Sequence, residues 1–92
     1  NRISAFAIQQ GNCYVSGSKL KTDEMMCIRK KPQSRDGTDS HRNIAFVGAE
    51  IGKILFTEDM ETARNLLGKF RLDEKQKVRL NRLRNNYGYH AI

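Results

Sequence analysis

The sequence predicts one small α+β domain over residues 1–92. It has an antiparallel sheet of four or five short strands (about 3–56) followed by two C-terminal helices (about 58–70 and 73–85). Three observations predict it. A chain of 92 residues is the size of a single domain. Short apolar runs, punctuated by Gly, Pro and polar turn residues, fill its first half. Past Phe56 the apolar residues recur at steps of three and four, the period of a helix.

The elements follow in order. Ile3 to Gln9 is a short apolar run bounded by Gly11, which reads as a strand. Gly11-Asn12 then reads as a hairpin turn into a second strand over Cys13 to Ser16, because both residues tolerate a positive φ. Met25 to Ile28 forms a third strand that runs into Arg29-Lys30-Lys31 and stops at Pro32, which has no N–H for a ladder. Gln33 to Arg42, with Asp36-Gly37 and almost no apolar residue, is the clearest loop. Ile44 to Val47 and Lys53 to Phe56 complete the sheet, with Gly48 and Gly52 flanking a second hairpin.

The helices are read from caps and spacing. Thr57 caps the first, with Glu58, Asp59 and Glu61 favouring its positive end. Met60, Ala63, Leu67 and Phe70 form its apolar face, and Gly68 marks an early end or close packing. Asp73 caps the second, which Asn86 to Gly88 terminate.

Charge says most about function. Seventeen Lys and Arg against ten Asp and Glu give a net charge of +7, which favours a polyanionic partner. Seven of the basic residues lie between Lys69 and Arg84, against only Asp73 and Glu74. On a helix Lys75, Arg79 and Arg82 share a face, while Leu72, Val78 and Leu83 make no wide apolar stripe. The sequence therefore predicts a non-enzymatic nucleic-acid-binding module, for DNA or RNA. Lys75, Lys77, Arg79, Arg82 and Arg84 would contact phosphates, joined by Arg29, Lys30 and Lys31. Alanine at Arg79, Arg82 and Arg84 together would then weaken binding and leave the fold intact. The tail residues Tyr87 and Tyr89 either stack on bases or fold back over the core.

Two other readings are open. A small regulator or inhibitor would dock the same basic face on an acidic protein surface, and needs Leu72, Val78 and Leu83 exposed as a groove beside the arginines. A metal-independent ribonuclease would use His41 or His90 for proton transfer, Arg35 or Arg42 for the phosphate, and Tyr87 or Tyr89 in support.

Other chemistry finds no support. Gly48 to Ile54 has one residue too few between its glycines for a phosphate-binding loop, and Ile54 stands where a Mg²⁺-binding hydroxyl belongs. His41, His90, Cys13 and Cys27 have no pair at metal-ligand spacing, so neither a metal nor another cofactor is expected. No apolar run is long enough to span a membrane. Two cysteines are too few for a disulfide scaffold and fit reduced thiols in an intracellular protein, the alternative being a single Cys13–Cys27 bridge between neighbouring strands. The first ten residues lack signal-peptide order, and a start at Asn1 in place of Met reads as a processed or trimmed end. An unpaired sheet edge offers a route to a homodimer.

Overall fold

In the computed structural model, which describes residues 2–35 and 37–92, the order is α1 (Arg2–Ile8), β1 (Met25–Arg29), β2 (Ile44–Gly48), α2 (Ala49–Phe56), α3 (Met60–Leu67) and α4 (Glu74–Asn86). Single 3₁₀ turns at Gln33–Arg35 and His41–Asn43 stand between the strands. Asp36, read above as a turn residue, lies outside the described residues. The fold remains α+β, but four helices accompany a two-stranded antiparallel sheet, which overturns the expected four or five strands followed by two helices.

Three expected strands are lost, each for a local reason. The run from Ile3 is helix α1: Ala5 and Ala7 favour helix, Ala5 is buried, and Gln9 falls one turn later on the same side. Cys13 to Ser16 is a tight loop, closed by Cys13 N–H donating to Ser18 O at 2.7 Å and by one bridge between Asn12 and Lys19. Lys53 to Phe56 belongs to α2, whose buried Ile51, Ile54 and Leu55 lie at helical steps of three and four. Gly48 is the N-cap of that helix, not the start of a hairpin. Gly52 lets α2 approach the sheet: a Cβ there would stand 2.9 Å from Met26 Sδ.

The two strands pair with Cys27 opposite Phe46 and Ile28 opposite Ala45. Alternation puts Met26, Ile28, Ala45 and Val47 on one face, which packs on α2. Phe46 points to the other face, where Phe6 of α1 meets it edge-on with ring centroids 5.5 Å apart. Lys30 N–H donates to Asn43 O, and Ala49 N–H to Glu24 O. By alternation Phe46 therefore turns its own N–H and C=O away from β1. The Gln9 amide fills that edge: Phe46 N–H donates to Gln9 Oε1, and Gln9 Nε2 donates to Phe46 O, both at 2.9 Å. Tyr14 N–H donates to the same carbonyl. On the β1 edge, Tyr87 hydroxyl donates to Arg29 O. The edges first read as a dimerisation route are thus partly satisfied within the chain.

Both α1 and α4 end in a Schellman motif. At α4, Tyr89 N–H reaches Arg84 O and Gly88 N–H reaches Asn85 O, with Gly88 at φ +88°. At α1, Gly11 N–H reaches Phe6 O and Gln10 N–H reaches Ala7 O, which places Gln10 at φ +56° where glycine is usual. Gln10→Gly is expected to stabilise the protein by about 0.5–1 kcal/mol, read as a raised urea midpoint. An unchanged midpoint would mean the Gln10 side chain offsets its backbone cost.

The helical half also shifts from expectation. Thr57 closes α2 as its C-cap, and Asp59 caps α3, its carboxylate accepting from Thr62 N–H and Thr62 Oγ1. Those two bonds hold the Asp59 carboxyl below its ordinary pKa. The single helix expected over 58–70 ends at Leu67, with Gly68 as its C-cap. At α4, Asp73 and Gln76 form a reciprocal capping box. The inward side of α4 holds Leu80, Leu83 and Arg84, all buried. The tail is clamped by Asn81, whose side chain both donates to Ile92 O and accepts from Ile92 N–H.

Candidate functional site

The two basic groups singled out in the sequence meet in space, around a residue that was not singled out. Tyr14 lies in the loop after α1, its backbone pinned to Phe46. Lys30 follows the last residue of β1, and its Nζ stands over the Tyr14 ring, 4.6 Å from the centroid. Arg79 comes from the middle of α4; its guanidinium carbon is 5.4 Å from the same centroid, and Nη1 donates to Tyr14 O at 2.8 Å. Cation–π attraction and that hydrogen bond hold both cations in place without neutralising either.

The 3₁₀ turn before β2 adds His41 and Arg42, its start fixed by Ser40 Oγ accepting from Arg42 N–H. Tyr14, Lys30, His41, Arg42 and Arg79 share an open cavity of about 410 Å³. Its remaining wall is Ala5, Ile8, Gln9 and Ile44, so among the described residues no carboxylate lines it. Among the described residues, none of Lys30, Arg42 and Arg79 forms an ion pair. Like charges held close together set up a positive field that attracts anions. Another opening, about 340 Å³ beside Cys13 and Phe70, sets Glu24 and Glu50 against Lys19 and Lys21, so its charges cancel.

The other expected contacts divide. Lys75 and Arg82 are exposed on α4, one turn to either side of Arg79, and extend the basic face. Lys31 is exposed beside Arg42 at a shallow depression, its backbone held by the Asn43 side chain. Arg29 turns to Asp39, which by hydrogen bond and charge pushes its pKa up. Lys77 stands 4.0 Å from Glu74. Arg84 is 0% exposed and holds backbone carbonyls, so it cannot reach a phosphate on the surface.

The groups invoked for hydrolysis do not assemble. Only His41 and Arg42 line the cavity; His90 and Arg35 are absent from its walls. Tyr87 is half-buried, its ring edge-on to Phe56 at 4.9 Å and its hydroxyl given to Arg29 O; burial pushes its pKa up. Tyr89 lies against the Arg84 guanidinium, 5.6 Å from ring centroid to Cζ. The apolar groove expected beside the arginines is not formed either. Leu83 is buried, Leu72 is half-buried, and Val78 is left alone at 54% exposure.

Among the described residues no group of three or more His, Cys, Asp or Glu stands close enough to hold a metal ion. Cys13 is buried and Cys27 exposed, both as free thiols. Among the described residues no helix is long and apolar enough to cross a membrane. Compared with known proteins, the chain matches no protein family, no curated protein and no solved structure.

Proposed function

We propose that this chain is a nucleic-acid-binding module that seats backbone phosphates against Lys30, Arg42 and Arg79. Lys75, Arg82 and Lys31 extend the contact along the same side. One observation carries the reading: three cations, from just past β1, the 3₁₀ turn and α4, converge on a cavity that no carboxylate lines among the described residues, in a chain of net charge +7. Phosphate supplies the missing counter-charge. Arginine forks suit its oxygens, and each neutralised phosphate releases condensed counterions. A reducing, intracellular setting goes with this reading, because it keeps both cysteines as thiols.

The test is fluorescence anisotropy of the protein with labelled nucleic acid at rising salt. With about four phosphates neutralised, affinity is expected to fall about hundredfold between about 50 and 200 mM salt. No binding at the lower salt would overturn the proposal. It would return the basic face to a role in solubility or in docking on an acidic protein.

A further inference from the structure

We infer that the cavity takes one nucleotide of a single strand, its phosphate on the Lys30–Arg42–Arg79 side and its base against Ala5, Ile8 and Ile44. This inference rests on the phosphate-binding reading and adds the strand state of the ligand. Two features point to it. The cavity, at about 410 Å³, falls in the range that encloses a small organic molecule and is far larger than a phosphate group needs. Its lining is also of two kinds, cationic (Lys30, Arg42 and Arg79) and aliphatic (Ala5, Ile8 and Ile44). An inorganic anion leaves the aliphatic lining wet, whereas a nucleotide matches both kinds. Ile8, 66% exposed on a small polar protein, then gains a cover.

The same geometry argues against a duplex. Inside a duplex the bases are stacked and paired, so only a splayed or single-stranded base can enter a concave site. Recognition would also be tolerant of base identity. Among the described residues Gln9 is the one side-chain amide in the wall, and both ends of it are already engaged, by the Phe46 backbone and by Asn12 O. What remains for the base is apolar contact, which every base can make, beside the Tyr14 and His41 side chains.

The experiment measures anisotropy of labelled oligo(U), oligo(dT) and a duplex, each of about 12 nucleotides or base pairs, with the full chain and with Ile8→Ser. Ile8 is exposed, so its replacement leaves the fold intact. The expected result is single strands bound about tenfold more tightly than duplex. Ile8→Ser should weaken single-strand binding about fivefold and leave duplex binding unchanged. Equal or tighter binding of duplex, or an Ile8→Ser variant as tight as the parent, overturns the nucleotide in the cavity while leaving the phosphate contacts standing. No binding to any of the three strands at low salt defeats the phosphate-binding reading itself.

Discussion

Arg84→Met is expected to lose about 3 kcal/mol or more of stability, in a protein whose size implies a total of about 5–14 kcal/mol. The side chain is 0% exposed, and among the described residues it forms no ion pair. Its guanidinium donates instead to three carbonyls: Ile54 O in the last turn of α2, Thr57 O at the C-cap of that helix, and His90 O in the tail. The last carbonyls of a helix lack intrahelical donors and form the negative end of its dipole. One planar fork therefore answers two needs, closing α2 and tying the tail to α4. Burial pushes the Arg84 pKa down, but an arginine stays charged at any pH a protein meets. Methionine fills much of the space and leaves all three carbonyls unpaired. Arg84→Lys keeps the charge with a narrower reach, and is expected to lose about half as much. The exposed Arg82→Met is the control, expected within about 0.5 kcal/mol of the parent. Urea midpoints read all three. An Arg84→Met midpoint level with that of Arg82→Met would show that the fork holds nothing.

This residue also shows why part of the fold escaped the sequence. Read along α4, Arg84 continues a run of surface charge, and the inward stripe looks too thin for a packed helix. The stripe is Gln76, Leu80, Leu83, Arg84 and Tyr87, in which only the two leucines are aliphatic. Gln76 bonds to Ser16 O and Arg84 to α2, and neither target lies nearby in the chain. Polar residues that face inward to satisfy a distant backbone carry no one-dimensional signature.

The lost strands have a different cause. A short apolar run suits either a strand or one face of a helix, and length and glycines must decide. In α2 the glycines pointed the wrong way. Gly52 read as a turn, although its purpose is to let the helix sit against Met26. The spacing of Ile51, Ile54 and Leu55 was the legible signal for the helix. In α1, seven residues are too few for a clear period, and the alanines were the only hint. By contrast, β1, β2 and the start of α4 were legible, because Pro32, the apolar run from Ile44 and the Asp73–Gln76 box are local devices. The site was half legible. Its cations stood out as charge, but the residue that gathers them, Tyr14, sits alone between a loop cysteine and a valine.

Replacing Lys30, Arg42 and Arg79 together by Gln is expected to weaken nucleic-acid binding about hundredfold at about 50 mM salt, and to lower the slope of log affinity on log salt by about 2 for a single strand. The choice differs from alanine at Arg79, Arg82 and Arg84, which would remove the buried fork and destabilise the fold. Here all three side chains are half-buried or exposed, and the Arg79–Tyr14 O hydrogen bond lies at the surface, where water can replace it. Thermal stability should therefore stay close to that of the parent. The decisive comparison is a second triple variant, Lys19→Gln, Arg64→Gln and Lys69→Gln. It removes the same three charges from the parent's +7, at exposed positions away from the cavity. If binding is only a matter of net charge, the two variants weaken alike and the salt slopes coincide. If phosphates sit against the cations around Tyr14, the distant triple costs a few-fold in affinity and keeps the parental slope, because the counterions it fails to release were never displaced by those residues.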